Sequence, residues 1–197
     1  MNYIHTGTQT IEAERLYLRR FVPEDAEDMF IHWINDKEIQ SNYGEPVYET
    51  VEAVKGVLNR WISSYSRNDF YRWAIILKEN QTNIGQIAFC SMDVKHHHAD
   101  IEYCISKQYQ GKGYATEALN ADITFTFERI GLHRLQAFHR GKNMSSGKVL
   151  EKSRMLYEGT LRKSYYYPDV NEYDDKIYYG IIKSDYMEGQ KNDPFRK

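Results

Sequence analysis

Cysteine is scarce in this chain. Its two cysteines, Cys90 and Cys104, both lie within apolar runs. Two cysteines exclude a framework of several disulfides and a four-cysteine zinc site. Because disulfides are rare in reducing compartments, this shortage favours a reduced, cytoplasmic location.

The chain also lacks an excess of one charge and any long apolar stretch. Its 26 Lys and Arg residues are balanced by 28 Asp and Glu residues, which gives a formal net charge of -2. Direct nucleic-acid binding is not expected, since it would need a basic face that emerges only on folding. No apolar run approaches the ~20 residues of a membrane-spanning helix. The first ten residues lack the pattern of a signal peptide, so neither secretion nor a membrane partner is expected.

Apolar and aromatic residues are sufficient for one core. Of the 197 residues, 41% are hydrophobic and 27% are charged, which fits the usual domain size of about 100–200 residues. Tyrosine is abundant, with 17 residues, and its apolar ring and polar hydroxyl suit strand surfaces and cleft linings. We expect a single domain over residues 1–197.

Apolar periodicity divides the chain into alternating helices and strands. In the first half it predicts helices over residues 23–34 and 50–64 and strands over residues 16–21, 71–77 and 84–91. In the second half it predicts helices over residues 114–130 and 145–153 and strands over residues 99–106, 133–139, 156–167 and 173–182. The polar residues 187–197 predict a frayed tail. The pattern is that of a mixed α/β domain.

The segment between the predicted strand 99–106 and the helix 114–130 carries the clearest chemical signal. Gly111 and Gly113 stand two residues apart, directly before the helix. Glycines allow close backbone approach, and a helix N-terminus offers free amides to an anion. Lys112 adds a positive charge, so the segment predicts a pyrophosphate-binding loop, with an ordinary strand-to-helix turn as the alternative. The P-loop pattern is absent, and Thr116 occupies the place of the third Rossmann glycine.

These residues resemble the GNAT N-acetyltransferases. The run Gln108-x-x-Gly111-x-Gly113 matches the Q/R-x-x-G-x-G/A pattern of that family, whose loop amides hold the acetyl-CoA pyrophosphate. Residues 110–119 are similar to the branch that contains the ribosomal-protein N-terminal acetyltransferases, the Rim type. Further blocks in that branch's order are residues 15–19 with Asp25 and Ala26, residues 131–134, and residues 143–152 with Glu158 and Gly159.

The resemblance covers residues 10–185 and implies both a fold and a donor site. The fold is a strongly bent mixed β-sheet of about seven strands flanked by about four helices, with a V-shaped split between strands 4 and 5. In that family the pantetheine arm of acetyl-CoA pairs with the backbone of strand 4, here residues 100–105. The residues implied to bind acetyl-CoA are Tyr103, Cys104, Ile105, Gln108, Gln110, Gly111, Lys112, Gly113, Tyr114, Ala115, Thr116, Asn143 and Ser146.

Acetyl transfer to an amine also needs an acid for the departing thiolate and a donor for the developing oxyanion. Many GNATs place a tyrosine acid where this chain has Leu150. The Rim-type resemblance instead implies Asn143 as a donor and Ser146 as the group that acts on the sulfur, with Ser145 as the alternative. Residues of these types near a helix start also cap helices, and that role alone is the competing interpretation.

The general base is less well defined by the sequence. Some Rim-type enzymes carry a glutamate at the position of Tyr165. Other GNATs place a carboxylate on strand 4, where Asp100 and Glu102 alternate onto one face. Two neighbouring carboxylates can raise one pKa towards neutrality, although both could simply interact with basic side chains. A relay of the proton through water is a further alternative.

The function implied is transfer of an acetyl group from acetyl-CoA to a primary amine, by direct attack in a ternary complex. The acceptor would be a protein N-terminal amine or a small amine, held against the predicted helices 23–34 and 50–64. A non-catalytic CoA-binding or regulatory module is the alternative. We expect a monomer or homodimer and no metal, because the run His96-His97-His98 stands without a second ligand set.

Overall fold

The computed structural model describes residues 4–168 and 171–191. Helices and strands alternate along these residues much as periodicity predicts. The strands in this part of the chain are β1 (Ile11–Glu12), β2 (Leu16–Arg19), β3 (Arg72–Leu77), β4 (Asn83–Asp93), β5 (His98–Ile105), β6 (Arg134–Arg140), β7 (Leu156–Tyr167) and β8 (Glu172–Ile182). The helices are α1 (Asp25–Met29), α2 (Lys37–Tyr43), α3 (Val51–Ser64), α4 (Tyr114–Phe125), α5 (Met144–Lys152) and α6 (Lys183–Lys191).

All eight described strands form one mixed sheet in the order β1-β2-β3-β4-β5-β6-β8-β7. Neighbouring strands are antiparallel, except that β5 and β6 are parallel. Their pairing covers only His98–Arg134, Ala99–Leu135 and Asp100–Gln136. Beyond Asp100 the two described strands no longer pair, which is the predicted V-shaped split. The strands on either side of the split count as fifth and sixth, because the short strand β1 was not predicted.

Two apolar cores lie on opposite faces of the sheet. In β3, Trp73 and Ile75 belong to the core under α4, α5 and α6, while Ala74 and Ile76 belong to the core under α1, α2 and α3. Side chains of a strand alternate between faces, so a strand covered on both faces reads as a continuous apolar run. This explains why residues 73–77 lack the polar alternation of a half-exposed strand.

Before residue 131 the helices differ from the prediction at three places. Helix α2 was not predicted. It begins after Asp36, whose side chain caps the amides of Glu38 and Ile39, and it ends at Gly44 with φ +75°. The two predicted helices 23–34 and 114–130 each finish in one π-helical turn, Phe30–Ile34 and Thr126–Ile130.

The end of the chain is more ordered than its polarity suggests. Residues 187–191, predicted as part of a frayed tail, belong to α6. That helix is held by Tyr186, which is 1% exposed and stacks on Phe127 with ring centroids 5.0 Å apart. The remainder of the predicted tail, residues 192–197, lies outside the described residues. Within the described residues, no helix combines the length and apolarity needed to cross a membrane.

Candidate active site

A cleft of about 700 Å³ opens where β5 and β6 diverge. It passes through the sheet, because its lining includes residues of β5 from both faces and segments from both helical layers. The structure brings together in this lining most of the predicted site residues: Asp100, Glu102, Tyr103, Cys104, Ile105, Gln110, Gly111, Gly113, Tyr114, Ala115, Thr116, Asn143, Ser145, Ser146 and Tyr165.

The glycine loop has the backbone geometry of an anion site. Gly111 and Gly113 have φ values of +75° and +85°, which strongly favour glycine. A Cβ on Gly111 would meet no atom within 4 Å, so open space lies beside the backbone there. Gly113 is the N-cap residue of α4, and no described side chain caps this N-terminus. The first amides of α4 are thus available to an anionic group.

Arg15 holds this loop in place, a role that the sequence did not reveal. Its Nε donates to Glu117 Oε2 of α4 at 2.7 Å, and its Nη1 donates to the carbonyl of Lys112 at 3.0 Å. The same guanidinium lies 4.5 Å from the ring centroid of Tyr114. The start of β2 is thereby tied to the start of α4, across 102 residues of sequence.

Two predicted donor-binding residues stand outside the cleft lining. Gln108 Nε2 lies 2.6 Å from His32 Nδ1, which connects the loop to the π-helical turn after α1. The ammonium of Lys112 lies 5.2 Å from the ring centroid of Tyr109. Gln110 does line the cleft, where its Nε2 donates to the carbonyl of Ile105 at 2.9 Å. The side chains of Gln108 and Lys112 therefore contact His32 and Tyr109 in this structure, and neither lines the cleft.

Asn143 and Ser146 meet at the start of α5. Asn143 Oδ1 accepts from the Ser146 amide at 3.1 Å and from Ser145 Oγ at 2.8 Å, so Asn143 is the N-cap of α5. Ser146 Oγ remains directed to Tyr103, whose hydroxyl lies 2.9 Å away. Leu150, at the position of the usual GNAT tyrosine, is 0% exposed. Asn143 thus caps the helix, and Ser146 places a hydroxyl at the cleft.

The hydroxyl of Tyr103 is a site group that sequence reasoning missed. Tyr103 was predicted only for its backbone, yet its OH contacts both Oγ and the carbonyl of Ser146. Burial raises the pKa of Tyr103 well above its ordinary value, although the hydrogen bond with Ser146 opposes this shift. The phenol is therefore protonated at neutral pH and can donate a hydrogen bond.

The predicted carboxylates on β5 share one face, as the alternation requires. The only irregularity in this pairing lies on the neighbouring strand, at Cys90. Glu102 accepts from Arg72 Nη2 at 2.9 Å, and Asp100 accepts from the side-chain amide of Gln136. Each carboxylate thus already has a partner within the protein.

Tyr165 lines the cleft beside the end of α2. Its hydroxyl lies so near Gly44 that a Cβ there would be 3.0 Å away. The end of α2 therefore meets β7 over the cleft. The ring centroid of Tyr165 lies 4.6 Å from that of Tyr167. In this structure Tyr165 thus helps to form the wall of the cleft.

The described cysteines and histidines show neither an activated Cys104 thiol nor a metal site. Burial raises the pKa of the Cys104 thiol to about 12, and such a thiol stays protonated and poorly nucleophilic. No group of three or more His, Cys, Asp or Glu residues among the described residues is placed to hold a metal ion.

Comparison with known proteins identifies the fold. The family described as "Acetyltransferase (GNAT) domain" matches residues 15–156. "Uncharacterized N-acetyltransferase YoaA" of Bacillus subtilis is 31% identical over 88% of this chain and 96% of its own. The ribosomal-protein-S5-alanine acetyltransferase of Vibrio fischeri is 24% identical with a TM-score of 0.76, covering 90% of this chain and 98% of that one.

A second solved structure contains CoA, the donor without its acetyl group. The spermidine N-acetyltransferase of Vibrio cholerae in complex with CoA and spermine is 22% identical with a TM-score of 0.74, covering 88% of this chain and 98% of that one. The residues in the present cleft fit such a donor, since helix α4 offers uncapped amides and β5 an unpaired edge. With the family match over residues 15–156, the chain belongs to the GNAT acetyltransferases and is an acetyl-CoA-dependent N-acetyltransferase.

Proposed function

We propose that this enzyme acetylates a primary amine that reaches the cleft as an ammonium, by direct attack in a ternary complex. The supporting observation is the division of the cleft by β5. Tyr103 packs towards α4 and α5, where the glycine loop lies, whereas Asp100 and Glu102 point to the opposite face, towards α2. An acyl donor and a cationic acceptor would thus meet across one strand.

The chemistry needs a neutral amine and a stabilised leaving group. After the ammonium loses a proton to a carboxylate or to water, its nitrogen attacks the thioester carbon. The carbon–sulfur bond then breaks and CoA leaves as the thiolate, which is neutralised by the second proton that the nitrogen loses on forming the amide. Thiols ionise at lower pH than phenols, so a phenol with a raised pKa stabilises the departing thiolate mainly by donating a hydrogen bond. Tyr103 and Ser146 supply two adjacent hydroxyls for this purpose.

The negative charges of Asp100 and Glu102 favour a cationic acceptor, but they do not distinguish a peptide from a small amine. Both a protein N-terminus, as in the Rim-type prediction, and a small amine present an ammonium. The structural relatives act on a ribosomal protein and on spermidine, respectively, according to their names. We retain the protein N-terminal amine as the more specific proposal, because the sequence blocks at residues 131–134 and 143–152 resemble those of that branch.

The test is release of free thiol from acetyl-CoA with a panel of acceptors. The panel should contain peptides with free and blocked N-termini, spermidine and small monoamines. Thiol release with the free peptide and not its blocked form supports N-terminal acetylation, and release with small amines alone overturns it. Tight calorimetric binding of acetyl-CoA without release on any acceptor would instead support the non-catalytic module.

A further inference from the structure

Two carboxylates in the cleft, Glu38 and Glu45, lie outside all the sequence predictions. Glu45 follows the C-terminal end of α2 and lines the cleft together with Glu102 and Tyr43. Its backbone amide donates to the carbonyl of Gln40 at 3.0 Å, which fixes the position of the loop relative to the helix. The sequence did not point to Glu45 because α2 itself was not predicted.

Glu45 differs from the other cleft carboxylates in its partners. Glu102 is paired with Arg72 at 2.9 Å, and Glu38 is paired with Lys107 at 2.9 Å. Asp100 accepts from Gln136. By contrast, no described residue forms an ion pair or a side-chain hydrogen bond with the Glu45 carboxylate. Among the described residues it is the cleft carboxylate with neither an ion pair nor a side-chain hydrogen bond, so both its oxygens can accept from a ligand.

Glu45 also stands between two cavities. A smaller pocket of about 180 Å³ adjoins the cleft, and Glu45 and Tyr43 line both. The walls of the smaller pocket include Trp33, Tyr48, Trp61 and Arg60. An amine held at Glu45 would therefore have room beside it for its own substituent.

We propose that Glu45 binds the ammonium of the acceptor and takes its proton before attack on the thioester. This rests on the proposed acetylation of an amine. The proton moves from the ammonium nitrogen to the carboxylate, and the freed lone pair then forms the new bond to the carbonyl carbon. Glu102 stays paired with Arg72.

The electrostatic surroundings agree with this role. Burial, and then the negative charge of Glu102, raise the pKa of Glu45 above its ordinary value, while Arg72 acts in the opposite direction. A base with a raised pKa is better matched to proton transfer near neutrality. The titratable and charged groups that face Glu45 are Tyr43 of α2, Tyr48 of the following loop, Arg60 of α3, Arg72 of β3 and Glu102 of β5.

The experiment compares Glu45→Gln with Glu49→Gln. Glu49 lies four residues further along and is exposed, as Glu45 is, but it lines neither cavity. We expect Glu45→Gln to lower kcat/KM for the acceptor by about 10²-fold or more, the usual size of a general-base effect. The acidic limb of the pH profile should disappear with it, and Glu45→Asp should restore part of both. Glu49→Gln should match the wild type.

Three outcomes separate the claims. Unchanged calorimetric affinity for acetyl-CoA in Glu45→Gln, together with the lost acidic limb, supports the role of Glu45. A Glu45→Gln enzyme that keeps the wild-type kcat/KM and acidic limb overturns it, while acetyl transfer by the wild type still stands. Absence of thiol release by the wild type with any amine overturns the proposed function and this inference together.

Discussion

The hydroxyl groups of Tyr103 and Ser146 lie 2.9 Å apart and join the two arms of the split sheet. Tyr103 belongs to β5, and Ser146 to the helix that follows β6. The two strands pair over only three residues, so this contact spans the cleft beyond the point where they separate. A donor lying between the arms would pass beside both hydroxyls.

Removing the Tyr103 hydroxyl should slow turnover more than it weakens donor binding. Tyr103→Phe keeps the buried ring and loses a hydrogen-bond donor that acts on the leaving group. We expect kcat to fall by about 10²-fold, with an unchanged calorimetric Kd for acetyl-CoA. Tyr157→Phe, at an exposed tyrosine whose hydroxyl contacts Thr160, is the control and should retain full activity. Equal losses of kcat and affinity would assign Tyr103 a positioning role.

Gly111→Ala and Gly56→Ala should change stability in opposite directions. Gly111 has φ +75°, where a Cβ costs about 1–2 kcal/mol. Gly56 lies inside α3 with open space around it, where alanine should gain about 0.5–1 kcal/mol. Urea unfolding measures both. The Kd for acetyl-CoA should rise only in Gly111→Ala, and an unchanged Kd there would refute the loop assignment.

Asn143 should have separable structural and chemical roles. Asn143→Ala removes the N-cap of α5 and should cost about 1 kcal/mol of unfolding free energy, besides releasing Ser146 from its position. Asn143→Asp keeps the capping oxygen and loses the amide donor. We expect the aspartate variant to regain the thermal stability but not the turnover. Full activity of Asn143→Asp would show that Asn143 contributes as a cap alone.

The stability of the fold should decrease as the pH rises, because of Asp122. This residue of α4 is 0% exposed, and burial raises the pKa of its carboxyl to about 8. The folded protein thus binds a proton that the unfolded chain releases near its ordinary value of 3.8. The contribution is complete below that value and is lost as the pH rises through about 8.

Asp122→Asn tests this linkage directly. Asparagine is nearly isosteric and does not titrate, so its unfolding free energy should be flatter between pH 5 and pH 9 than that of the wild type. Chemical unfolding at several pH values provides the comparison. Parallel pH profiles for the two proteins would show that Asp122 does not titrate in this range.

Local sequence signals predicted the parts of the site that depend on local backbone geometry. Gly111 and Gly113 could be identified because left-handed φ values before a helix call for glycine. The capping side chain of Asn143 could be identified for a similar reason, since a cap lies within three residues of its partner. In each case the residue type and its short-range spacing carry the information.

Contacts between segments that are far apart in the sequence could not be predicted from local sequence signals. The Tyr103 hydroxyl meets Ser146 only because β5 and α5 are neighbours across the split. The placement of Glu45 depends on α2, a helix of seven residues with only Ile39 and Gln40 buried. So short and polar a segment gives almost no periodic signal. Arg15 likewise acquires its role only when β2 docks against α4.

The limited pairing of β5 and β6 also affects solubility. Strands with unpaired backbone edges are templates for association with other chains, and proteins usually cover or charge them. Here the two edges face each other inside the molecule, beyond Asp100. A narrow chain with its own amide groups can add to such an edge as an extra strand does. The enzyme can thus offer its donor an unpaired backbone edge that lies between two of its own strands.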